Sequence, residues 1–171
     1  DAQLQRDSSE ATAREIDELH DVHVHAGEFR VHSQVAAGFA HLAPHDATGG
    51  VDVFRMALET IPRDGRALIG LYLALQDTSL ATEAQLLLPQ IDHTVSELLA
   101  NRRPGEAAMV KAGAHAVRGD LAAGCTALEQ LLESAPPGHA GWQIPIDPAL
   151  APLRRHERFP RVLALLAARA A

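Results

Sequence analysis

Apolar residues recur at steps of three and four across positions 51–88, and this pattern constrains the fold more than any other feature of the chain. Such spacing is typical of amphipathic helices, because it places the apolar residues on one face. Turn residues interrupt it at Pro62, Asp64 and Gly65 and again at 77–79, so the stretch predicts a helix, a proline turn and two further helices. A helical hairpin of this kind cannot bury its own apolar face and stacks on neighbours. The pattern therefore predicts stacked helices, an architecture typical of proteins that bind other proteins.

Length and composition fit one helical domain. A chain of 171 residues buries roughly two-thirds of the surface that it exposes when unfolded, which is enough to form a core. Apolar residues make up 47% of the chain but aromatic residues only 4%. Small apolar side chains suit closely stacked helices, whereas sheets favour β-branched and aromatic residues. The composition therefore favours an all-α fold.

The charge balance and the hydropathy exclude two kinds of partner. The formal net charge is −7 at pH 7, whereas nucleic-acid binding needs clustered basic charge, so we expect no nucleic-acid partner. No apolar run reaches the roughly 18 residues of a membrane span, so we expect no direct membrane span, and no signal peptide is present. Because the chain starts at Asp1, we expect that a leader or an upstream domain was removed, or that the chain begins inside a longer polypeptide. It could also be part of a larger complex. Its compartment stays open between cytoplasm and periplasm.

Stop signals divide the chain into three predicted parts. Residues 1–30 form a His-rich N-terminal helical segment, residues 31–136 form helical hairpins, and residues 137–171 form a C-terminal capping tail. Gly27 is expected to break the first part from the helix that follows, and Pro89 is expected to stop a helix in the middle part. The helices predicted from the apolar spacing cover residues 29–42, 51–61, 67–76, 81–88, 107–118 and 121–134. Residues 92–104 are expected to be irregular.

The order of large and small residues in the middle part resembles tetratricopeptide repeats, whose unit is a helical hairpin of about 34 residues. With Pro62 at the repeat's terminal proline, Gly38 takes a small position of the first helix, and Phe54 and Ala57 take the aromatic and alanine positions of the second. Two further units match at Leu68, Leu71, Leu75 and Ala84, and at Ala112, Gly119, Gly124, Leu128 and Leu131. The residues that depart from the pattern are Gln34, Tyr72, Ala108 and Lys111.

This resemblance implies an all-α, right-handed helical-hairpin repeat, a degenerate TPR-like solenoid with N- and C-terminal capping helices. A plain antiparallel helical bundle is the alternative fold. The tail looks like an ending that closes tetratricopeptide domains of bacterial signalling proteins, such as cyclases and transcriptional activators. A solenoid exposes an apolar end that must be covered, and the tail offers Leu150, Leu153, Phe159, Val162 and Leu165 for that purpose. The resemblance implies a role in assembly or sensing and no catalysis.

The first helices of stacked hairpins are expected to line a concave groove that binds a partner protein or peptide segment. The residues expected to face this groove are His32, Phe39, Arg66, Ile69, Leu73 and Met109. Their mixture of apolar and charged side chains suits an extended or helical segment held in side-chain pockets. We therefore predict a non-catalytic interaction scaffold or accessory subunit.

A histidine cluster near the N-terminus supports a second hypothesis. His20, His23 and His25 lie within six residues, and on a helix His20 and His23 share one face. Imidazoles are common ligands of zinc and nickel, and further carboxylates or His32 could complete a site. The alternative function is therefore a metal- or ligand-responsive sensor module in which these histidines bind a divalent transition metal. A polar helix face rich in histidine explains the same pattern without metal.

Catalytic motifs give no comparable signal. The pattern Asp-Val-His-Val-His at residues 21–25 is similar to the first-strand metal motif of amidohydrolase-like enzymes, but those enzymes need a large barrel that this chain lacks the length and strands to form. No nucleophile elbow and no phosphate-binding loop is present. The single cysteine, Cys125, excludes an internal disulfide and a thiolate metal cluster and is interpreted as a core residue. We expect no enzymatic activity and no cofactor.

Overall fold

The computed structural model describes residues 26–43, 46–135 and 141–170 of the chain. All regular elements within these ranges are helical, and none of these residues lies in a strand. In chain order the elements are α1 (26–42), α2 (Ala47–Thr60), α3 (Gly65–Gln76), α4 (Ala81–Gln85), α5 (Leu88–Ala100), α6 (Pro104–Val117), α7 (Leu121–Ser134), a 3₁₀ helix (Pro148–Arg155) and α8 (Phe159–Ala170). The predicted all-α fold is confirmed for these residues. No described helix is long and apolar enough to cross a bilayer.

Aspartate side chains begin several of these helices. Asp46, Asp64 and Asp120 each accept a hydrogen bond from the backbone N–H three residues further on, which satisfies a donor that the helix itself leaves unpaired. Asp46 also accepts from Nδ1 of His41 at 2.7 Å. The Gly49 N–H, followed by His41, lowers the pKa of Asp46 below its ordinary value. These caps fix where α2, α3 and α7 begin.

Three predicted boundaries are wrong, and each has a local cause. Gly27 lies inside α1, with no atom near the position of an added Cβ, so it does not break the chain. Pro89 occupies the first turn of α5, where a missing N–H costs nothing, so it begins a helix and does not stop one. The stretch 92–104, expected to be irregular, is mostly the helix α5. The bounds predicted for α7, in contrast, agree with the structure.

Many helices that follow one another in the chain pack together. These pairs are α2 with α3, α3 with α4, α5 with α6, α6 with α7 and α7 with α8, and α3 also packs on α5 and α6. Two apolar clusters result. The first cluster contains residues of every helix from α1 through α6. The second contains residues of α6, of α7 and of the C-terminal segment, residues 141–170. The helix α6 therefore contributes to both clusters and connects them.

Large side chains fill notches left by glycine. The Phe54 ring is fully buried between Gly38 of α1 and Gly70 of α3, and an added Cβ at Gly38 would lie 2.7 Å from that ring. Phe39 packs edge-on against Phe54, with ring centroids 5.1 Å apart. Ile69 fills a similar notch at Gly113, where an added Cβ would lie 2.6 Å from its Cδ1. Because a side chain occupies each notch, the helices approach closely without leaving a void.

The C-terminal segment covers the end of α6 and α7. Its buried side chains are Ile144, Leu150, Leu153, Phe159 and Val162, whereas Leu165 is half-buried. Leu153 fills the notch at Gly124 of α7, where an added Cβ would lie 2.7 Å from its Cδ2. A polar contact joins the same elements, because Arg158 binds the buried carboxylate of Glu129 at 2.5 Å. The residues expected to cover the apolar end thus pack on α6 and α7.

Candidate partner-binding surface

The six residues predicted to bind a partner lie on three helices. His32 and Phe39 belong to α1, Met109 belongs to α6, and the other three belong to α3. His32 is exposed, with its Nδ1–H donating to the Glu28 carbonyl at 2.7 Å, and Leu73 and Met109 are half-buried. The helices α3 and α6 pack on each other, but Leu73 packs against the first apolar cluster and Met109 against the second.

Two of the six residues are core residues, which corrects that part of the prediction. Phe39 is 6% exposed and packs on the Phe54 ring, and Ile69 is 1% exposed and fills the notch at Gly113. Glycine at position 113 lets α3 and α6 approach so closely that Ile69 lies between them. Neither side chain lines an open groove. Partner binding by His32, Leu73 and Met109 stays a prediction.

Arg66 has an internal partner that the sequence did not reveal. Its Nη2 donates to Oδ1 of Asp147 at 3.3 Å, and its Nε lies 3.1 Å from Oδ2. Asp147 is 4% exposed and also accepts from the Ala149 N–H, which begins the 3₁₀ helix. Arg154 donates to the Asp147 carbonyl at 2.8 Å. Arg66 therefore attaches the C-terminal segment to α3, although its side chain keeps 31% exposure.

An ion pair marks the start of α6. Arg103, which precedes α6, donates to both carboxylate oxygens of Glu106 at 2.6 and 2.5 Å. These hydrogen bonds raise the pKa of Arg103, and the negative charges of Glu28 on α1 and Asp64 at the start of α3 add smaller contributions.

Two large apolar side chains are exposed just before the 3₁₀ helix. Trp142 is 67% exposed and Ile146 is 62% exposed. The residues around them are buried, namely Gly141, Ile144 and Asp147. Tryptophan is enriched among the residues that dominate the binding energy of protein interfaces. Sequence reasoning placed Trp142 in the capping tail and did not single it out for binding.

The histidines of the metal hypothesis, His20, His23 and His25, lie outside the described residues. Within the described ranges, no three His, Cys, Asp or Glu side chains are grouped so that they could hold a metal ion. Metal sensing therefore stays a hypothesis about the N-terminal segment. Cys125 is fully buried, and burial raises the pKa of its thiol, which agrees with its interpretation as a core residue.

The accessible residues that remain from the predicted set are His32 of α1, Arg66 and Leu73 of α3 and Met109 of α6. Trp142 and Ile146 are the exposed apolar pair before the 3₁₀ helix. Arg66 connects these parts, since it lies on α3 and contacts the residue that follows Ile146. Comparisons with protein-family models, with curated proteins and with solved structures give no match.

Proposed function

We propose that the chain is a TPR-like helical array that binds a segment of another protein and has no catalytic role of its own. The partner segment lies along the α3–α6 surface, defined by Arg66, Leu73 and Met109, and continues onto Trp142 and Ile146. The observation that carries this proposal is the joining of these two parts by the contact between Arg66 and Asp147. Most of α3 is buried, and Arg66 and Leu73 are the half-buried residues through which it would contact the partner.

Two features of the packing support the repeat-like arrangement. Several successive helices contact one another, namely α2 with α3, α3 with α4, and α5 through α8 in order, as stacked hairpins do. Gly38, which the resemblance puts at a small position, receives the ring of Phe54, which it puts at an aromatic position. Ala57, Ala84, Ala112 and Gly124, which match other small positions, are all buried. Two helices depart from a regular unit. The helix α4 is short, and α5 has a proline in its first turn.

A photo-crosslinking amino acid at position 73 tests the proposed function in the native source. Leu73 is half-buried on α3, so a reactive side chain there lies at the edge of the proposed surface. We expect it to form a covalent product with one partner protein, identified by mass spectrometry. The matched control is position 56, because Met56 is 51% exposed on α2 and lies outside the proposed surface.

The control position is expected to give no product, or products that differ from those at position 73. If position 56 captures the partner and position 73 does not, binding occurs on the surface of α2 and the proposal is wrong. A melting curve for each labelled protein shows that the fold is intact.

A further inference from the structure

We propose that Trp142 and Ile146 are the apolar anchors of the binding surface and that they select a peptide segment in which a large apolar residue is flanked by carboxylates. This inference rests on the proposed function and adds the chemical class of the partner. It is carried by three observations, namely the fixed geometry of the turn that bears the two side chains, the charges around it, and the electrostatic cost of pairing two copies of it.

The turn presents Trp142 and Ile146 in a fixed geometry. The Ile144 N–H donates to the Gly141 carbonyl at 2.9 Å, and the Asp147 N–H donates to the Gln143 carbonyl at 2.8 Å, as in a helical turn. Residues four apart on a helical turn share one side, so we infer that the two exposed side chains point the same way. Their backbone is held because Ile144 is fully buried in the second apolar cluster.

Burial at Gly141 holds the other end of the turn. An added Cβ there would lie 2.8 Å from Leu166 of α8 and 3.1 Å from Leu132 of α7. The turn therefore packs on two helices while its tryptophan faces solvent. A preorganised aromatic side chain loses little entropy when a partner covers it, which is why tryptophan is frequent among the residues that dominate binding energy.

Cationic side chains contact the end of this turn. Two guanidinium groups bind Asp147, Arg66 at its carboxylate and Arg154 at its carbonyl. Asp147 is 4% exposed, so a partner cannot reach its carboxylate, whereas Arg154 is exposed, as is Arg155 beside it, and Arg66 is partly so. Carboxylates on the partner would complement these arginines.

The same charges argue against a second copy as the occupant. A symmetric dimer would place the turn of one copy on the turn of the other, because an isologous interface uses the same patch twice. Arg154 and Arg155 of both copies would then lie within one interface, and like charges brought together oppose association. An acidic segment of another protein avoids this repulsion.

Selection from a displayed library of short random peptides tests the inference with the intact chain as bait. Peptides are selected on the wild type and, separately, on the Trp142→Ala and Ile146→Ala variants. We expect the wild-type pool to be enriched in large apolar residues flanked by Asp or Glu. We expect both variants to bind that pool at least about tenfold more weakly, as for residues that dominate an interface.

Two matched controls make the result specific. Leu86→Ala removes a side chain that is 68% exposed between α4 and α5, close to the 67% of Trp142, and should leave affinity unchanged. Arg154→Gln should weaken binding and reduce its dependence on salt, whereas Arg55→Gln, on α2, should do neither.

Because Trp142 is the only tryptophan, its fluorescence reports contact directly, and bound peptide should protect it from iodide.

The possible outcomes separate the inference from the proposed function. A pool that binds equally well to the Trp142→Ala variant, or one enriched in Lys and Arg, overturns the inference while leaving a binding protein in place. Protection of Trp142 that rises with protein concentration in the absence of peptide overturns it in favour of a second copy. The absence of any selectable binder, together with no partner captured at position 73, contradicts the proposed function as well.

Discussion

Phe54→Ala should destabilise the chain by about 4 kcal/mol, the range for removing a fully buried phenylalanine. The ring is fully buried, lies between Gly38 and Gly70, and packs edge-on against Phe39. Its loss empties the volume where α1, α2 and α3 meet. Since each kcal/mol lowers the melting temperature of a chain of this size by roughly 2–4 °C, a large shift in a thermal melt is expected.

A second substitution tests whether the Phe54 ring fills the notch at Gly70. Gly70→Ala alone should destabilise, although alanine favours helix, because the added Cβ meets the Phe54 ring. In the Phe54→Ala background the same change should be neutral or stabilising, since the ring is gone. Gly105→Ala is the control, because its nearest neighbour would be 4.0 Å away. Equal effects of Gly70→Ala in both backgrounds would mean that Phe54 does not fill this notch.

Arg158→Ala should destabilise the chain by about 3 kcal/mol, because it leaves the carboxylate of Glu129 buried without its main partner. Glu129 is 5% exposed, and Arg158 binds it at 2.5 Å while also donating to Thr126 at 2.8 Å. The expected value is at the low end for a broken buried pair, since the Arg158 side chain is 38% exposed. Urea unfolding at pH 7 measures the change.

Arg161→Ala is the matched control for this pair. Its Nε lies 3.9 Å from Glu129, and its side chain is 65% exposed, so its removal should cost about 1 kcal/mol or less. Replacing both Glu129 and Arg158 by methionine should restore most of the lost stability, because no charge then stays buried. If the two arginine variants lose equal stability, the buried pair does not hold α8 to α7.

Helical spacing predicted the fold class, and side-chain caps explain where the prediction was accurate. Asp120 caps the start of α7, and a capping aspartate is visible locally in the sequence. The predicted bounds of α7 therefore agree with the structure. Pro89 and Gly27 were misinterpreted because each residue is compatible with both a helix and a break. Pro89 lies in the first turn of α5, where proline is tolerated, and Gly27 lies in a part of α1 where no packed neighbour approaches it.

The candidate site was less predictable, because it depends on contacts between distant parts of the chain. Arg66 and Asp147 are 81 residues apart, and no local pattern pairs them. Ile69 was assigned to the groove, whereas the glycine that buries it belongs to another helix. The aspartate–proline pair before the 3₁₀ helix does signal a helix start, but the exposure of Trp142 depends on how the tail packs.

Hydrogen–deuterium exchange of the intact chain, alone and with the partner captured at position 73, tests the central claim most directly. Binding along the α3–α6 surface and the adjoining turn predicts slower exchange in α3, in α6 and in residues 141–155, with little change in α2 and α5. Slower exchange confined to α2 and α5, with none in residues 141–155, would contradict this account.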